Sequence, residues 1–198
     1  MKFKLAVLYL LASSSALADD NNFIAGFNYA KSTSAEANAT FEILDDVTVG
    51  LNISTLGLYL GYINQKNNRF IVSYSSAAID FNGSTSSEDV AGLDLDWQFV
   101  YGEELFQMYW GAGFGFHTID EALILKGTYL EGDSLNGLSF QLMAGIKAPF
   151  NERVEIDVSI QTKAYAWQSI DIEVGSSTET IDTRYSQIAL SIGAGYKF

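Results

Sequence analysis

The chain has 198 residues, with 24 Asp and Glu against 11 Lys and Arg, one His, one Pro and no Cys. The net charge of −13 argues against nucleic acid as a partner, because phosphate binding needs clustered Lys and Arg. The absence of Cys excludes a disulfide scaffold, a lipidated N-terminus and any Cys-ligated metal site, and a lone His makes no cluster, so neither cofactor nor metal is expected.

The first element is an address. Lys2 and Lys4 precede an apolar run over 5–12, and Ala16-Leu17-Ala18 forms a small-x-small cleavage site before Asp19-Asp20. This is the pattern of a secretory signal peptide, and the run is well short of the ~20 residues of a spanning helix. Cleavage after Ala18 is expected, with 1–18 removed by Sec export and 19–198 forming one domain.

From there the chain alternates with period two, the signature of strands with one apolar face. Phe23, Ala25, Phe27 and Tyr29 oppose Ile24, Gly26, Asn28 and Ala30. Leu56, Leu58, Leu60 and Tyr62 oppose Gly57, Tyr59, Gly61 and Ile63. Phe70, Val72 and Tyr74 oppose Ile71, Ser73 and Ser75. Leu93, Leu95, Trp97 and Phe99 oppose Gly92, Asp94, Asp96 and Gln98. Met108, Trp110, Phe114 and Phe116 oppose Tyr109 and Gly111, Gly113, Gly115 and His117. Leu138, Phe140, Leu142 and Ile146 oppose Ser139, Gln141, Met143, Gly145 and Lys147. Ile156, Val158 and Ile160 oppose Glu155, Asp157, Ser159, Gln161 and Lys163. Finally Ile188, Leu190, Ile192, Tyr196 and Phe198 oppose Gln187, Ser191, Gly193, Gly195 and Lys197.

About eight such segments are each close to the ~9–11 residues of a tilted membrane strand. Short connections at 65–68, 102–104 and 149–152 alternate with long acidic ones at 32–51, 82–89, 119–134 and 170–183. That alternation predicts an all-β, antiparallel up-and-down transmembrane β-barrel of about eight strands, with both termini at the short-turn end. The 32–51 stretch leaves room for extra strand length or a further hairpin. The polar face is rich in glycine, which suits a narrow, crowded lumen and not a solvated outer face. The apolar face carries aromatics near segment ends, as interfacial girdles do.

With its signal pattern, alternating hairpins, Gly111-Ala112-Gly113-Phe114-Gly115-Phe116 run and terminal Gly193-Ala194-Gly195-Tyr196-Lys197-Phe198, the chain resembles small eight-stranded outer-membrane barrels of the opacity-protein, OmpA-membrane-domain and OmpX-like type. The resemblance implies a bacterial outer-membrane protein in contact with lipid and lipopolysaccharide. It also implies that Tyr196 and Phe198 form the signal read by the barrel-assembly machinery. It implies a non-enzymatic role, structural or adhesive, with a surface ligand met by the loops.

Three chemistries compete within that frame. The inward charges Asp94, Asp96, Glu155, Asp157, Lys147, Lys163 and Lys197 read as a paired plug, because an unpaired buried charge is too costly. The alternative is a narrow porin-like conduit through the same residues. His117 is the one imidazole and raises a third reading, a lipid-A-modifying enzyme. However, the serine that a lipid-A deacylase motif places two residues on is replaced here by Ile119, and Thr118 falls on the opposite face.

Overall fold

Residues 22–42, 45–85, 87–103, 106–120, 122, 134–174 and 177–198 are described by the computed structural model. The signal segment with Ala16 and Ala18 lies outside them. The period-two segments form nine strands: β1 Phe23–Phe41, β2 Val47–Ile63, β3 Arg69–Phe81, β4 Ser87–Glu103, β5 Phe106–Asp120, β6 Leu135–Pro149, β7 Val154–Trp167, β8 Ile170–Val174 and β9 Ser177–Lys197. All pairings are antiparallel, neighbours in sequence are neighbours in space, and β9 pairs back onto β1. The short β8 continues the line of β7 along β9, so the wall has eight staves and no open edge at its base.

The registers define the barrel's geometry. Starting at Ser186 on β9, partners run through Ala164, Phe140, Phe114, Leu95, Val72, Leu60 and Ala25, and return to β9 at Tyr196, ten residues further on. A stagger of ten over eight strands, with ~3.3 Å per residue and ~4.8 Å between strands, sets a tilt of roughly 40°. Each residue then climbs about 2.5 Å, and a ~25 Å apolar band takes about ten residues.

Side-chain burial is inverted relative to a soluble barrel. Leu190, Phe140 and Ile156 are 55%, 55% and 42% exposed, whereas their neighbours Ser191, Gln141 and Asp157 are 3%, 5% and 8% exposed. A continuous apolar surface on that scale is not tolerated in water.

The inversion holds for only part of the height. β9 is 21 residues long, about twice what the band needs. In the upper half the polarity is that of a soluble β-barrel. Leu51, Ile53, Ile79, Val90, Ile119, Leu135 and Ile181 point inward and are buried, while Asn52, Asp80, Asp89, Asp120 and Asp182 are exposed on the outside. The expectation of long loops at 32–51 and 170–183 is therefore corrected: both stretches are mostly strand. Two irregularities, and the change of the apolar side from outward to inward, hid them. β1 shifts register between Ser32 and Ser34, and the β7–β8 line slips by one residue around Gln168-Ser169. Each slip exchanges the faces, so a strict period-two pattern stops there.

The short-turn end also brings together Phe23, at the start of β1, and Phe198. Phe23 N donates to Phe198 O, Phe198 N donates to Phe23 O, and the two rings stack at 6.3 Å.

Candidate functional site

The inward-facing residues build three tiers, from the short-turn end upward. In the lowest tier Arg69 opens β3 and Glu155 lies on β7, diametrically across an eight-stave barrel. Both terminal nitrogens of Arg69 donate to the Glu155 carboxylate, the Nη2–Oε2 bond at 2.9 Å. Lys197 Nζ lies 3.1 Å from Glu155 Oε2, and Lys147 Nζ lies 3.9 Å from Oε1. Tyr109 donates its hydroxyl to Asp157 Oδ1 at 3.3 Å, and the Lys147 ammonium sits 4.2 Å from the Tyr109 ring centre. Three cations thus surround one carboxylate, and a bidentate pair crosses the lumen.

The middle tier is organised by Asp94 on β4. Its Oδ1 accepts from Lys163 Nζ at 2.7 Å, and its Oδ2 accepts from Ser75 Oγ at 2.9 Å. Asp96 accepts from Gln141 Nε2. A cavity of about 60 Å³ separates these groups, bordered by Thr55, Ser73, Asp94, Asp96 and Gln141 among others. At ~10–15 Å³ per water it accommodates a few solvent molecules. The side-chain carbonyl oxygens of Gln98 and Gln187 border it and find no partner among the described residues, which makes it polar enough to be wet.

The top tier is mostly apolar, with Glu88, Glu179 and Thr183 buried within it. Tyr165 stacks on Trp167 at 5.7 Å, Trp167 meets Tyr185 edge-on at 5.6 Å, and both belong to a buried cluster with Ile53, Ile79, Ile119 and Leu135. Tyr185 donates its hydroxyl to Glu88 Oε2 at 2.9 Å.

The structure therefore groups Lys147, Glu155, Asp157 and Lys197 in one tier and Asp94, Asp96 and Lys163 in another. The sequence reading missed Arg69. That residue shares the inward parity of Ile71 and Ser73, so the signal was present one position before the segment that was read. Its inclusion matters for charge. In the two lower tiers Arg69, Lys147, Lys163 and Lys197 stand against Asp94, Asp96, Glu155 and Asp157, while Glu88 and Glu179 are buried above them.

Glycine makes this crowding possible. A Cβ at Gly92 would collide with the His117 ring, one at Gly137 with Trp167, and one at Gly193 with Asp157. Each inward ring or carboxylate lies flat against a bare backbone on the next strand.

His117 is 3% exposed and hydrogen-bonded to Asp94 and Ser139. Its Nε2 faces both Asp94 Oδ1 at 3.2 Å and Ser139 Oγ at 2.9 Å, while Nδ1 abuts Gly92. A nucleophile–base–acid relay needs the two partners on opposite ring nitrogens. Here both compete for one. At the chain end, Tyr196 points outward and Phe198 packs beside Phe23 and Tyr196.

No family model and no curated protein matches the chain. Solved structures do. Neisserial surface protein A is 14% identical, with 89% of this chain and 97% of that one covered at a TM-score of 0.50. The outer-membrane protein OprG of Pseudomonas aeruginosa is 17% identical over 89% and 95% of the two chains, with a TM-score of 0.56. Outer membrane protein H of the same organism, solved in DHPC micelles, is 15% identical over 89% and 99%, also at 0.56. The likeness is one of fold: a closed eight-stranded antiparallel barrel of the small outer-membrane type.

Proposed function

We propose that this chain is an integral outer-membrane protein without enzymatic activity. Its lumen is sealed, and it acts through the acidic rim and loops at the long-loop end, in a structural or surface-adhesive role. The observation that carries this is the three-tier interior: an ion-pair lattice, a small wet cavity and an apolar cap, stacked along one axis. The inverted burial of the lower half supports lipid around it. The porin-like reading meets the apolar cap, and the enzymatic reading meets the single-nitrogen geometry of His117. In the same proposal, 1–18 is the Sec signal peptide cleaved after Ala18, Tyr196 and Phe198 carry the assembly signal, and lipopolysaccharide meets the outer belt.

Planar-bilayer recording of the purified, folded protein tests the central claim. The expected trace has no stable openings. Sustained large openings that vanish on boiling would overturn the sealed lumen.

A further inference from the structure

The outer wall is uneven. Across β4 to β7 at the upper edge of the apolar belt, the outward row Leu93, Phe116, Leu138 and Ala166 lies below a thinner row of Ala91, Thr118 and Asn136. The step leaves a groove of about 870 Å³, lined by these residues together with Tyr74 and Gln168.

The lower walls are apolar, and the upper end is polar in one sense only. Thr118 Oγ1 donates to Asn136 Oδ1 at 3.0 Å, and the Asn136 backbone N–H donates to Gln168 Oε1 at 3.4 Å. Both side-chain carbonyls are thereby engaged. The amide NH₂ groups of the exposed Asn136 and Gln168 have no protein acceptor among the described residues, so the end offers donors. The groove opens directly into the lipid-facing belt, where the surrounding solvent is hydrocarbon.

We propose that this groove is a resident lipid site. It holds one acyl chain of a membrane lipid along Phe116 and Leu138, with the carbonyl end of that chain accepting hydrogen bonds from Asn136 and Gln168. The proposal rests on the membrane reading above.

The test uses the whole mature chain in vesicles of phosphatidylethanolamine and phosphatidylglycerol, doped with a phospholipid carrying a diazirine at mid-chain. Flotation is measured first, then adducts are mapped by mass spectrometry after irradiation. Adducts at Phe116 and Leu138 should exceed those at the belt residues Tyr29 and Leu56 at least threefold. Moving the diazirine next to the carbonyl should shift adducts toward Asn136 and Gln168. Filling the groove with Ala91→Trp plus Ala166→Trp should return Phe116 and Leu138 to the level of Tyr29, whereas Ala194→Trp elsewhere on the belt should not. Even labelling around the belt in vesicles that float normally, or a pattern indifferent to label position, overturns the site and leaves the membrane reading standing. Protein that stays with the soluble fraction overturns the membrane reading, and the site with it.

Discussion

At the scale of single residues, the interior is governed by the cost of uncompensated charge. Glu155 is 1% exposed and has three cationic neighbours, so removing it strands Arg69, Lys147 and Lys197 against one another. Glu155→Gln should lose about 3–5 kcal/mol, read from urea unfolding in micelles. The double variant Arg69→Met plus Glu155→Leu deletes one charge of each sign and should lose less than the sum of the two single changes. Additive losses would show that the pair is not coupled. Gly137 belongs to the same scale: its absent Cβ is the space that the Trp167 ring occupies. Gly137→Val should cost about 1–3 kcal/mol through overpacking and shift Trp167 fluorescence, while unchanged stability would place the ring elsewhere.

At the scale of the strand, one stave meets two solvents. The outward side chains of β9 run from Ile192, Leu190 and Ile188 in the belt to Arg184, Asp182 and Thr180 above it, while the inward ones run from Gly193 and Ser191 to Tyr185 and Ile181. The faces never exchange along this strand; the environment does. Leu190→Lys puts an ammonium near mid-belt and should cost about 2–4 kcal/mol. Thr178→Lys on the same face, near the top of the same strand, should stay within about 0.5 kcal/mol. Equal costs at the two positions, measured by unfolding from lipid vesicles, would remove the belt boundary drawn here.

At the scale of the whole molecule, a tilt near 40° converts the 21 residues of β9 into a stave about 50 Å tall, of which roughly half clears the apolar band. On the β9 side the wall therefore stands about 25 Å beyond the apolar band, while the 13 residues of β3 clear it by less, and the apolar cluster inside holds this part together. Closure pairs the backbone of each stave with neighbours on both sides in the belt, so the fold is expected to resist detergent until heated. The expected result is a shift in gel mobility between unboiled and boiled samples of the membrane fraction. A single unshifted band from a soluble fraction would contradict the fold's placement in lipid.

Much of this was legible in the residue order, because alternation is local. Parity alone assigned Leu190, Phe140 and Ile156 to one face and Ser191, Gln141 and Asp157 to the other. It also collected seven of the charged side chains that line the lower lumen. It stopped where the backbone slipped, at Ser32–Ser34 and Gln168–Ser169, since one added residue exchanges the faces and makes strand look like loop. Arg69 was passed over because a single residue at a strand's start has no period of its own.

The amino-acid order by itself determined an up-and-down barrel of about eight strands and which side chains share a face, since period-two alternation and the alternation of short and long connections are both local. Only the closed barrel decided that Arg69 reaches Glu155 on the opposite wall, that Asp94 meets Lys163, and that an apolar core caps the lumen. Those meetings depend on stagger and closure, which bring together residues 86 and 69 positions apart, and no local pattern encodes them.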